Sequence, residues 1–143
     1  MAQTMDKGVA RQEEWPQWLK DELQRNQQNG CVGTELVSET DRVRVWTIRL
    51  APGERIGFHR HVLDYFWTAV TPGVAVSHMQ DGSTYERRYF AGETQHESYS
   101  AGESKMHDLE NIGDAELVFT TVEFLDSAND PLPVPDSVRA GRR

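Results

Sequence analysis

Pro52-Gly53-Glu54-Arg55-Ile56-Gly57-Phe58-His59-Arg60-His61 opens on a turn dipeptide and closes on two histidines two residues apart. Pro-Gly favours a chain reversal because proline presets φ and glycine accepts the left-handed conformation. Along the extended segment that follows, residues two apart project from one face, so the imidazoles of His59 and His61 can converge on a single ion. The flanking sequence has the same texture. After Gly30 come short alternating or β-branched runs separated by Pro72-Gly73, Asp81-Gly82, Ala91-Gly92, Ala101-Gly102 and Gly113-Asp114, the spacing of an all-β sandwich or barrel. The clearest strand is Val43–Leu50, with Val43, Val45 and Thr47 on one face and Trp46, Ile48 and Leu50 on the other; further strands are predicted at 65–70, 74–78, 85–90, 94–99, 105–109 and 117–124. No helical pattern separates them, which excludes a βαβ fold.

Upstream of the strands, residues 1–13 are polar and read as a flexible lead-in. Trp15, Trp18, Leu19 and Leu23 then recur at helical spacing, with Pro16 near the start and Asn29-Gly30 closing the run, so one short helix is predicted over 14–28 and packed outside the barrel. Downstream of Asp126, Pro131, Pro133 and Pro135 fix φ and remove ladder donors, so this tail is expected to be extended, outside the sheet, and either loose or strapped onto a neighbouring subunit. The predicted organisation is a lead-in and helix (1–29), one barrel domain (30–125) and a proline-rich tail (126–143).

A formal charge of −8 repels phosphate backbones, and Arg139, Arg142 and Arg143 make only a short basic tip, so nucleic acid is not an expected partner. Cys31 is the single cysteine, which rules out an intramolecular disulfide. There is no apolar run of the roughly 20 residues that cross a bilayer, and no basic-then-apolar signal order, so a cytoplasmic location is expected. The two apolar faces of Val43–Leu50, with Trp15 and Trp18, exceed what a small barrel covers alone and predict a homodimer.

A third histidine, His107, falls on a later predicted strand, where a barrel can bring it opposite the first two. Imidazole suits Zn, Fe, Cu and Ni, and three such ligands leave positions open for water or substrate. Taken singly, each reads as an ordinary core or surface histidine; the His-x-His pair just after Pro-Gly favours the metal reading. His78 ends a strand and faces either the interior or solvent, and His96 reads at most as a wall residue. Arg44 and Arg49 read as strand charges, and Trp46, Phe66 and Trp67 as packing.

Gly53, five residues, His59-x-His61 and the later Gly73 resemble the first motif of the cupin superfamily, and Gly102, His107 and Asn111 resemble part of the second. The resemblance spans about 32–124. It implies an all-β double-stranded β-helix, or jelly-roll barrel, with an interior divalent metal ion (Fe, Zn, Mn or Ni) and frequent pairing into dimers. Among cupins the chain looks most similar to small single-domain members associated with β-alanine degradation. It departs from the motif twice. Phe66 stands in the slot of the family's glutamate ligand, with Tyr65 in that slot if the spacer is one shorter and Asp64 beside it. The glycine-to-histidine gap of the second motif is also four residues instead of two. An ion on three neutral imidazoles keeps its full charge and should favour an anionic ligand; thiol dioxygenases, cupins with three histidines and no glutamate, resemble this arrangement. The resemblance thus implies a metal-dependent enzyme of dioxygenase or isomerase type acting on a small anionic metabolite in amino-acid or carboxylic-acid catabolism, with His59, His61 and His107 as ligands and Tyr65 or Asp64 for proton transfer. The rivals are a module that binds without turnover and a metal-free barrel with Phe66 filling the ligand slot.

Overall fold

The computed structural model describes residues 5–7 and 14–140. Ten strands form two antiparallel five-stranded sheets. The first sheet has the order β1 (Met5–Lys7), β7 (Thr84–Tyr89), β6 (Gly73–His78), β9 (Lys105–Asn111), β4 (Arg55–His61). In the second the order is β2 (Glu35–Glu39), β3 (Val43–Leu50), β10 (Leu117–Phe124), β5 (Tyr65–Ala69), β8 (Thr94–Glu97). Neighbours in these sheets are mostly non-consecutive in sequence, as in a jelly roll whose hairpins cross between two layers. Val43–Leu50 and the strand over 117–124 appear as expected, and the turns between strands use glycine where the backbone demands it: Gly53 sits at φ 84° with open space beside it.

The interior is apolar at one end and hollow at the other. Strict alternation along β3 and β10 sends Ile48, Leu50, Leu117 and Phe119 inward, where they pack with Ala69, Ala75 and Leu109. A separate cluster of Trp15, Leu19, Leu23, Phe58 and Met106 lies outside the first sheet and holds α1 (Gln17–Arg25) against the backs of β4 and β9. The expected external helix is therefore present, though shorter than 14–28. It ends at Asn26, and Gly30 does not close it. Gly30 instead lets the tail approach, since a Cβ there would meet Leu132 Cβ at 2.7 Å.

Two expectations about the ends need correction. Residues 5–7 of the supposedly flexible lead-in pair with β7 as an edge strand; the rest of 1–13 lies outside the described residues. The tail is neither loose nor on a neighbour. It straps its own barrel: Arg44 Nη1 donates to the Leu132 carbonyl at 3.1 Å, Arg139 pairs with Glu39 at 3.0 Å, and Arg139 forms an isolated parallel bridge with Leu36. Alternation in the extended proline-rich stretch explains this, because Leu132 and Val134 face the barrel while Pro131, Pro133 and Pro135 face water. Val134 and Val138 cover Val32, Leu36 and Trp46.

Candidate metal centre

His59 and His61 reach the interior because β4 carries a bulge. Ile56 pairs with Leu109 and His59 with His107, so β4 spends three residues where β9 spends two. Phe58 is thereby turned out onto the helix while His59 and His61 point inward. Gly57 sits in the bulge because the Glu22 carboxylate of α1 comes within 3.0 Å of where its Cβ would be and accepts the Phe58 N–H at 2.9 Å. His107 enters from β9 directly opposite His59.

The three rings lie with centroids 4.8–5.1 Å apart, and their ligand nitrogens all fall within 4.8 Å of one another. His59 Nδ1 donates to the Gly57 carbonyl at 2.8 Å, which fixes the tautomer and leaves Nε2 with its lone pair toward the cavity. His61 Nε2 and His107 Nε2 are 3.2 Å apart. Two nitrogens each about 2.0–2.1 Å from one ion at tetrahedral or octahedral angles would sit roughly 2.8–3.4 Å apart, so the spacing of this pair fits a shared divalent cation. Burial lowers the affinity of all three rings for protons. His59 is pushed down to about 4 despite the opposing Gly57 hydrogen bond, and His61 and His107 fall well below 6.5 through burial, then the neighbouring imidazoles and Lys105. Neutral imidazole is the ligating form.

The triad opens into a cavity of about 310 Å³. Tyr65 lines it, stacked on His61 with centroids 4.2 Å apart, and burial holds its phenol well above 10, so it serves as a hydrogen-bond donor. Phe66 points the other way, as strand alternation requires, and packs on His96 and Phe124 outside the second sheet. It fills no ligand slot, and the metal-free reading built on it is withdrawn. Asp64 is a turn residue: its carboxylate accepts the Tyr99 N–H at 3.0 Å, and it does not line the cavity. His78 faces neither interior nor solvent; its Nδ1 donates to Asp108 at 2.9 Å beneath Trp15. Arg44 is tied to Glu39 and Arg49 to Glu116, both away from the triad.

Sequence reasoning missed three charged residues that also line the cavity: Arg87, Glu97 and Lys105. Lys105 carried a usable signal, being two residues from His107 on the same strand face. Arg87 shared its inward face with Tyr85 and Tyr89, but a tyrosine-arginine alternation looks like any solvated strand.

No family model matches the chain, and no curated protein matches it. Solved structures do. A cupin domain from Bordetella pertussis is 29% identical, with a TM-score of 0.53 over 61% of this chain and 85% of its own. A conserved protein with a double-stranded β-helix domain from Klebsiella pneumoniae is 25% identical, with a TM-score of 0.51 over 66% and 76%. An RmlC-like cupin family protein from Methanocaldococcus jannaschii shares the fold at 21% identity, with a TM-score of 0.50 over 69% and 79%. Fold and site together define a double-stranded β-helix barrel with three histidines gathered in its interior. The chain belongs to the cupin superfamily. Among the described residues no helix is long and apolar enough to cross a membrane.

Proposed function

We propose that the chain holds a divalent metal ion (Fe, Zn, Mn or Ni) on His59, His61 and His107 and acts on a small anionic metabolite bound beside it. The observation that carries this is the convergence of three neutral imidazoles, His59 and His61 buried and His107 half-buried, on one wall of the cavity, with the His59 tautomer set by Gly57. An ion between His61 Nε2 and His107 Nε2, which lie 3.2 Å apart, would receive both lone pairs at once. A bound metal would supply Lewis-acid polarisation or, if iron, oxygen activation. The chain's own residues supply the rest: Tyr65 donates a hydrogen bond beside His61, and the Lys105 ammonium lies 5.3 Å above the Tyr65 ring. The choice of amino-acid or carboxylic-acid catabolism rests on the sequence resemblance alone.

Metal analysis of protein purified without an affinity tag tests the site. About one equivalent is expected in the wild type, background levels in His59→Ala, His61→Ala and His107→Ala, and the wild-type level in His96→Ala. Wild-type metal content in His107→Ala would overturn the proposal.

We also propose that two chains pair through the outer face of the second sheet. Among the described residues no helix covers it, Val43, Val45, Val122 and Phe66 are half-buried there, and Phe124 is exposed. Sedimentation should give twice the 16.3 kDa of one chain; a single-chain mass at micromolar concentration would discard it.

A further inference from the structure

We infer that the cavity selects a small acid with two anionic groups, one at the imidazole end and the other received by Arg87 and Lys105. This deepens the metal-site proposal and rests on it.

Arg87 is built to present a fixed guanidinium. It projects from β7, two strands from β9 or about 10 Å at the usual strand spacing, into the same cavity as the triad. Its Nη2 donates at 3.1 Å to Glu93, which is 4% exposed and does not line the cavity, and the guanidinium carbon lies 5.1 and 5.3 Å from the Trp67 and Tyr89 ring centroids. A buttressed planar fork of this kind suits a carboxylate better than a mobile ammonium does.

Lys105 lies between the two ends. It pairs with His61 across the ladder, shares a strand face with His107, and keeps Nζ 3.8 Å from Glu97, beyond hydrogen-bond distance. Arg87 is near enough for its charge to act on Lys105 across the cavity. An acidic group between the two cations relieves that repulsion.

Charge balance favours a dianion. Glu93 and Glu97 offset Arg87 and Lys105, and the three imidazoles are neutral. A divalent ion would therefore leave the cavity with two uncompensated positive charges, where a site with a glutamate ligand would leave one. A monoacid cancels half of that; a diacid cancels all of it, with its ends at the two places the cavity can receive them.

The alternative role for Arg87 is purely architectural, tying β7 to Glu93. Calorimetric titration of the full-length, metal-loaded protein separates the two. The probes are malonate, succinate and glutarate, each against the monoacid of equal chain length: propionate, butyrate and valerate. The best-fitting diacid should bind about tenfold or more tightly than its monoacid. Arg87→Met and Lys105→Met should each bring the pair within a few-fold while leaving metal content unchanged. Arg87→Lys, which keeps charge and loses the fork, should fall between. If Arg87→Met fails to fold because Glu93 is stranded, Arg87→Met with Glu93→Gln gives the same reading. Equal binding of diacids and monoacids at every length, or equal weakening of both in Arg87→Met, would overturn the two-headed ligand and leave the metal site standing. If no acid binds to protein shown to carry its metal, the anionic-ligand reading falls as well.

Discussion

The two faces of the β4–β9 ribbon carry buried polar clusters of opposite character. Outward, under α1, Asp108 is fully buried and takes hydrogen bonds from Arg55 Nε at 2.8 Å and His78 Nδ1 at 2.9 Å, while Arg55 also grips Glu22 at 2.6 and 3.0 Å. Charges alternate in sign along that chain, and the Glu22 carboxyl is held below its ordinary range: burial raises it, but Arg55 and the Phe58 N–H outweigh that. Inward, one residue over on each strand, three imidazoles face one another; among the described residues the Gly57 carbonyl is a partner of His59, and His61 and His107 have each other. A satisfied network docks a helix. A cluster of neutral imidazoles turned on one another at a cavity wall suits a ligand that accepts their lone pairs together.

Breaking the outer cluster should have the largest effect. Arg55→Met strands two buried carboxylates and is expected to cost about 3–5 kcal/mol in urea unfolding, while metal per folded molecule stays at the wild-type level. A loss under about 1 kcal/mol would mean that the ion pairs are ornamental to the helix dock. The inner cluster should show itself through pH. His59 is held near 4 against an ordinary 6.5, so between these values the unfolded chain takes up a proton that the fold refuses. The metal-free protein should therefore be most stable above about 6.5, lose on the order of 3 kcal/mol as pH falls to about 4, and change little from this group below that. Unfolding midpoints that stay flat from pH 7 to 4 would contradict the buried neutral ring. The smallest effect is expected from Phe66→Glu. The side chain lies outside the second sheet, so metal content should not change, whereas Tyr65→Glu places a carboxylate against His61 and should tighten binding to chelator challenge. Tighter metal binding in Phe66→Glu would reverse the assigned faces of β5.

Much of this was legible in the chain. The turn dipeptides and period-two runs mark most of the strands, and His59, His61 and His107 stand out by residue type and spacing, because imidazoles on one strand face have few architectural uses. What stayed hidden depended on other parts of the fold. β2 is short and polar at its exposed end, and β1 has three residues whose pairing is set by β7 alone. Phe66 looked like a slot residue because counting along a motif carries no information about strand phase; Tyr65 took the inward position through its ladder with Glu97 and Glu123. The tail read as loose or strapped onto a neighbour because proline forbids ladder bonds, yet an extended chain can still lay alternate side chains on its own barrel without them.

The bulge at Gly57 also sets the phase of the strand. Up to Ile56, the even-numbered residues of β4 face the interior; from His59 on, the odd-numbered ones do. A β4 that kept every residue but lost the bulge would keep the histidine pair, its spacing and the surrounding motif, and any scan of the chain would still find them. The alternation would then run unbroken from Ile56, and both imidazoles would rotate out beneath the helix while Phe58 and Arg60 turned toward the cavity. The recognisable text would survive and the site would be gone, so the bulge between the motif's landmarks decides as much as the landmarks themselves.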